Sequence, residues 1–211
     1  MVVTVVRVAP SQPRPDRHVP PGHTAPQAQR PASPAELRRV FGAFPTGVTA
    51  LAALVDGAPV GMAANSFTSV SLHPPLLSVC VAHTSATWPL LAGRARLGVT
   101  VLGAGQERAC AQLASREGDR FARLDWHATG DGAVLLHGAC AWFDTSIEQQ
   151  VPAGDHDIVV LRIHALGADH TVPPLVFHAS RFRQLAEAAG GTRDTPAPHT
   201  PQRLTATEET P

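Results

Sequence analysis

Apolar and polar positions alternate through the middle of this chain and lose their pattern at both ends. The first clear start signal is Ser33-Pro-Ala-Glu36. Ser33 can cap a helix, Pro34 suits its first turn and Glu36 holds the capping-box position, so a helix is expected through about Phe41. Residues 47–55 are apolar and stop at Asp56-Gly57, a hairpin-type turn before residues 58–62, which predicts two antiparallel strands. Residues 76–82 predict a buried third strand, and Thr87 is placed to cap a short helix through Leu91. A fourth strand is expected at residues 96–102, then a helix over 106–114 with Ala109, Cys110 and Leu113 on one face. Residues 133–143 and 157–165 read as the last long strands, joined by a connection carrying Gly154-Asp-His156, and residues 175–177 as a short closing strand. The short connections predict a mostly antiparallel sheet.

Between the second and third strands lies a run of small polar side chains, Asn65, Ser66, Thr68, Ser69 and Ser71, followed by Pro74-Pro75. The run reads as a shaped loop whose hydroxyls and amide could border a pocket for a polar planar ligand. An ordinary turn is the alternative that such clusters more often form. Residues 8–32, within an arm at 1–32, are rich in Pro, Gln, His and Arg, and residues 189–211 in Thr and Pro. Neither end can bury enough apolar surface to offset the entropy of ordering it, so a disordered arm and tail are expected around one domain at 33–188.

Composition narrows the chemistry. The formal charge is zero and the pI about 7.2, which gives no electrostatic pull toward nucleic acid or anionic lipid. All 17 basic residues are arginine and tyrosine is absent, so Schiff-base chemistry and every lysine general base drop out. Cys80, Cys110 and Cys140 stand singly, with no C-x-x-C spacing, which indicates neither a disulfide framework nor a zinc site. Cys80 and Cys140 are expected to be small core residues. None of the 11 histidines has metal-ligand spacing. No apolar run reaches membrane-span length, and a soluble cytoplasmic protein is expected. Gly103-Ala-Gly105 suggests a dinucleotide fingerprint, but Arg108 occupies the third glycine position and a Rossmann site is rejected.

The ordered set Phe44-Pro-Thr-Gly-Val-Thr49, Gly61-Met-Ala-Ala-Asn-Ser-Phe-Thr-Ser-Val-Ser71, Pro74-Pro75-Leu76, Ser85-Ala-Thr87, Asp119-Arg-Phe121, Gly154-Asp-His156 and Pro174-Leu-Val-Phe177 resembles the flavin reductase-like family. The resemblance runs from about Leu37 to Leu185. It implies a fold that is mainly β with short helices, the FMN-binding split β-barrel. It also implies an NAD(P)H:flavin oxidoreductase that supplies reduced flavin to a partner monooxygenase. A flavin carrier or redox sensor on the same fold is the alternative, and an oxidase of the pyridoxamine-phosphate type a third.

By the same resemblance, Asn65, Ser66, Phe67, Thr68 and Ser69 would meet the flavin ring and ribityl chain, with Thr46 and Val48 bordering the pocket. Ser85 and Thr87, at a helix start, would hold the flavin phosphate, helped by Arg94 or by an arginine from a second subunit. His156 would contact the nicotinamide as the candidate catalytic residue, and Asp155 would orient its loop. The implied cofactors are FMN or FAD, with NADH or NADPH as hydride donor, in a homodimer whose sites lie at the subunit interface. His73, Thr100 and Leu161 depart from the family pattern.

Overall fold

Helix α1, Pro34–Phe41, begins at the capping box that the sequence predicts. Ser33 Oγ accepts from the Glu36 N–H (3.2 Å) while the Glu36 carboxylate accepts from the Ser33 N–H (2.8 Å). This computed structural model describes residues 32–185 and the strand at 202–203. The expected arm at 1–32 and tail at 189–211 therefore fall almost wholly outside the described residues.

The strands are β1 (Thr46–Gly47), β2 (Thr49–Val55), β3 (Ala58–Ala64), β4 (Thr68–Leu72) and β5 (Pro75–Ala82), then β6 (Leu97–Val101) after helix α2 (Trp88–Leu91). Helix α3 (Glu107–Ala114) precedes β7 (Trp126–Ala128), β8 (Val134–Leu136), β9 (Ala141–Ala153) and β10 (His156–Ala168). The short strands β11 (Val176–His178), β12 (Arg181–Arg183) and β13 (Gln202–Arg203) end the chain's described structure. One sheet runs β3-β2-β6-β9-β10-β5-β4, with β13 also on β10, and every pairing in it is antiparallel. The fold is mainly β with short helices, as expected.

Three expectations need correcting. The polar run after Gly61 is mostly strand: β3 continues to Ala64, β4 starts at Thr68, and only residues 65–67 connect them. Serine and threonine alternate there with β-compatible partners, so the pairing with β5 outweighs their turn preference. Residues 133–143 are not one strand, because the chain breaks after Leu136 and passes Gly138 at φ +74° before β9. The connection around Gly154 is a tight hairpin, since β9 and β10 are 13 residues each and pair up to Ala153↔His156.

Two apolar clusters share the sheet. One gathers Leu51, Ala53, Leu77, Val79, Val81, Leu91, Leu97, Val99, Val159 and Leu161. The other gathers Val48, Ala50, Ala52, Leu102, Ala109, Cys110, Leu113, Phe121 and Leu175. Strand β2 contributes to both, one parity of its residues to each. Thr100 is fully buried and accepts from the Leu136 N–H (3.2 Å), which ties β8 to β6. Cys80, expected in the core, is exposed: it lies between the buried Val79 and Val81, on the opposite face of β5.

Candidate functional site

On the α3 side of the sheet β2 presents Ala50 and Ala52, and β3 sets Ala63 opposite Ala50 and Met62 opposite Leu51. Small side chains here leave a groove, and three cavities follow one another along it. The first, about 270 Å³, is walled by Val48, Ala63, Cys110, Phe177 and Phe182, with Asn65 among its lining residues. The second, about 390 Å³, shares Ala63 and Ala114 with the first and adds Thr84, Ser85, Thr87, Arg116 and Arg120. The third, about 340 Å³, shares Ala86, Thr87 and Arg120 with the second and adds Val60, Leu90, Asp119 and Phe121.

The chemistry changes along the groove. The first cavity is apolar, with the Phe177 and Phe182 rings edge to face at 5.7 Å. Thr46 pairs in register with Phe177, and its hydroxyl oxygen is buried without a partner. A buried polar atom in that state is costly unless a ligand completes it. The second cavity is cationic and rich in hydroxyls. Arg120 Nη1 donates to the Gly61 carbonyl (3.2 Å) and to Thr87 Oγ1, bridging β3 to the start of α2. A Cβ at Gly61 would lie 2.6 Å from the Leu51 carbonyl and 2.9 Å from the Phe121 ring, so the close packing of β2 and Phe121 here requires glycine. Thr87 sits at the N-cap position of α2 but makes no capping bond; Ser85 Oγ accepts from the Trp88 N–H instead (3.1 Å). The capping role expected of Thr87 therefore belongs to Ser85, and the Thr87 hydroxyl is held by Arg120.

Among the residues singled out from sequence, Val48 and Asn65 line the first cavity, and Ser85 and Thr87 the second. The others line none of the three. Ser66 spends its hydroxyl on β5, accepting from the Cys80 N–H (2.8 Å) and donating to the Cys80 carbonyl (3.1 Å). Phe67 packs on Phe143 at 5.7 Å, against the cluster that contains Leu51 and Leu161. Thr68 and Ser69 are exposed on β4, opposite Ser78 and Leu77. Asp155 and His156 form the tip of the β9–β10 hairpin, with Nδ1 of His156 2.7 Å from Asp155 Oδ1. The bond to His156 and its charge hold the Asp155 carboxyl below the ordinary range. His156 pairs in register with Ala82, and Ala82 lines the cationic cavity.

Arg94 is exposed and lines none of these cavities. The arginines that do are Arg116 and Arg120, which sequence reasoning missed as ligands. Asp119-Arg-Phe121 was visible as a motif, but only the fold carries Arg120 to Thr87, 33 residues away. Among the described residues no group of His, Cys, Asp or Glu could hold a metal ion, and no helix is long and apolar enough to cross a membrane.

Comparison with known proteins gives the groove its context. Residues 41–186 match the family model described as the flavin reductase like domain. The reductase subunit HsaB of a flavin-dependent monooxygenase from Rhodococcus jostii is 36% identical over 149 residues, covering 71% of this chain and 76% of that protein. The NADH:FAD oxidoreductase SgcE6 of Streptomyces globisporus, solved with NAD and FAD fragments, superposes with a TM-score of 0.69 at 38% identity, covering 74% of this chain and 94% of that one. BorF, the flavin reductase component of a bacterial two-component tryptophan halogenase, gives a TM-score of 0.69 at 37% identity over 74% of this chain and all of its own. Some curated relatives are much longer, and the match spans from 42% to 91% of their lengths. With the fold, the ordered motifs and the matched domain in agreement, this chain, a split β-barrel, belongs to the flavin reductase-like family.

Proposed function

We propose that this protein is an NAD(P)H:flavin oxidoreductase that passes reduced flavin to a separate monooxygenase. The observation that carries the reading is the order of chemistry along the groove: an apolar aromatic slot beside an orphaned hydroxyl, then a cavity with two arginines and several hydroxyls. A flavin has that order too, a planar ring followed by a ribityl chain and a phosphate. The ring would lie against Val48, Phe177 and Phe182, with Asn65 at its polar edge and Thr46 next to Phe177 on the neighbouring strand. The phosphate would meet Ser85, Thr87, Arg116 and Arg120, as charge-assisted donors prefer. Bound flavin supplies the two-electron acceptor for a hydride from the nicotinamide. The protein's own part is to stack, orient and keep water from the ring faces, which fits a groove lacking any acid–base pair.

Asp155 and His156 would approach the nicotinamide from the β9–β10 hairpin, with Asp155 fixing the imidazole. A homodimer is the expected assembly. Cys80 and Ile158, paired in register, are both exposed on the outer face of β5 and β10, where Val151 is exposed as well. An apolar patch of this kind suits an interface between two copies. HsaB is the reductase subunit of a flavin-dependent monooxygenase and BorF the flavin reductase component of a two-component halogenase, which supports the same role here, in the cytoplasm. Anaerobic mixing with FMN or FAD and NADH or NADPH tests the activity. Bleaching of the flavin absorbance well above the enzyme-free rate is expected. Tight binding without bleaching by either nicotinamide would make the protein a flavin carrier instead.

A further inference from the structure

We propose that His83 and Asp157 are positioning residues for the hydride step: as a pair they fix the β9–β10 hairpin, and with it His156, against the loop that leads into the cationic cavity. The inference rests on the reductase reading above and adds two residues that the reading does not use. The hairpin needs such a tie. Strand β6 pairs with β9 only as far as Thr145, so beyond that residue β9 is flanked by β10 alone among the described strands. Strand β10 pairs with β5 up to His156↔Ala82, and the tip then turns through Gly154 at φ +69°. A two-stranded end of this kind is weakly held by its own ladder.

His83 is where hairpin and loop meet. Its backbone N–H donates to the Asp155 carbonyl (3.0 Å), and its ring Nε2 donates to Asp157 Oδ1 (3.1 Å). Gln150 on β9 donates to Oδ2 of the same carboxylate (2.7 Å), so both oxygens are taken, from opposite flanks of β10. The bond from Gln150 and then that from His83 hold the Asp157 carboxyl below its ordinary range, and it is ionised at neutral pH. The His83 side chain is 47% exposed and that of Asp157 16%, and a pair so open to water adds little to stability. Its neighbours give it another use. Thr84 and Ser85, directly after His83, line the cationic cavity, and His156 stands directly before Asp157. Successive strand residues point to opposite faces, so clamping the carboxylate at 157 sets the direction of the imidazole at 156. The pair thus spaces the hairpin from the residues proposed to hold the flavin phosphate, and a slip of about 1 Å in that spacing is enough to slow a transfer between stacked rings.

Stopped-flow reduction of flavin by NADH or NADPH on the full-length protein reads this role, with the flavin dissociation constant and the melting temperature measured beside it. His83→Ala and Asp157→Ala should each slow the hydride step, or raise the Michaelis constant for the nicotinamide, at least about fivefold, while the flavin dissociation constant stays within about twofold. The double variant should be no worse than Asp157→Ala alone, because both changes remove the same contact. His83→Gln, whose amide can still donate to the carboxylate, should recover most of the lost rate. Should Asp157→Ala melt early, His83→Ala and its recovery in His83→Gln carry the comparison. Single variants that reduce flavin as the parent does overturn the proposal, as do losses that add in the double variant. A loss of flavin affinity as large as the loss at the nicotinamide overturns it too, since the pair would then serve the phosphate loop. A parent that neither nicotinamide reduces would instead remove the reductase reading itself, and this inference with it.

Discussion

The two faces of β2 are built to opposite ends. Leu51 and Ala53 point into a cluster with Leu77, Val79, Leu91, Leu97, Val99, Val159 and Leu161, all at most 1% exposed. Ala50 and Ala52, equally buried, point into a cluster whose edge opens as the groove, at Val48, Cys110 and Ala63. On one face large aliphatic side chains fill the space between strands, and every missing methylene would be felt. Beside the other, Ala63 on β3 keeps the wall low where the first and second cavities meet, and the void there forgoes dispersion contacts that a flat ligand would restore. Each face of this strand packs a cluster of 11 buried residues, and under the proposed function the flavin would lie at the open edge of one of them.

The strongest way to break this contrast is to cut into the filled face. Leu161 is fully buried in β10, and Leu161→Ala should cost about 2–5 kcal/mol of stability, read as a shift of the denaturation midpoint. Flavin affinity of the protein that remains folded should change little. Filling the open face is the converse experiment: Ala63→Leu should cost little stability but weaken flavin binding, because Ala63 walls both the first and second cavities. If Ala63→Leu unfolds the protein while leaving flavin affinity intact, the two faces are not divided in this way.

A smaller effect is expected at the cationic cavity. Arg120→Ala removes the bridge from Gly61 to Thr87 and a donor to the phosphate, and should weaken flavin binding by about 1.5–3 kcal/mol, the range of charge-assisted hydrogen bonds. Riboflavin, which lacks the phosphate, should lose far less. An equal loss for riboflavin would mean that Arg120 acts on the fold of the groove and not on the anion.

The next pair sharpens the difference between groove and hairpin. Asn65 lines the first cavity at its exposed rim, so Asn65→Ala should weaken flavin binding by about 1 kcal/mol, the worth of one hydrogen bond partly open to water. His156→Ala should raise the Michaelis constant for the nicotinamide, or slow the hydride step, with the flavin dissociation constant nearly unchanged. A loss of flavin affinity in His156→Ala as large as in Asn65→Ala would end the assignment of the hairpin to the nicotinamide.

Much of this molecule is legible in the sequence, and the limits have physical causes. The capping box at Ser33, the Asp56-Gly57 turn and the apolar runs of β2, β5 and β6 are local signals, and local signals can be read. The residues of β4 predict a loop because serine and threonine favour turns in isolation, and only pairing with β5 decides between the two. The short strands β7 and β12 carry too few residues to show a period, and β9 was cut short because its polar end, Glu148 to Gln150, looks like a connection. Arg120 shows the limit most directly: its triplet is a visible motif, but its place beside Thr87 depends on a contact that no local pattern encodes. The opposite holds for Ser66, whose hydroxyl looked free for a ligand and is bound to the β5 backbone.

The smallest effect expected is on pH, and it concerns the sheet away from the groove. His164 on β10 lies 2.8 Å from Ser146 Oγ, and burial with the nearby Arg96 charge holds its ring below the ordinary value of 6.5, against the opposing pull of Asp144. His127 on β7 is lowered in the same direction by burial and by His137, whose ring nitrogen is 3.2 Å away. Because both groups bind a proton less readily folded than unfolded, their contribution is intact above about pH 6.5 and is lost as the pH falls through their folded values. The buried Asp144 works the other way, its carboxyl being raised by burial, a single group against the two histidines. The urea midpoint should therefore drop modestly between pH 7.5 and 5.5, and His164→Gln with His127→Gln should flatten that drop without changing flavin affinity at pH 7.5. A double variant as acid-sensitive as the parent would mean that the loss comes from elsewhere in the fold.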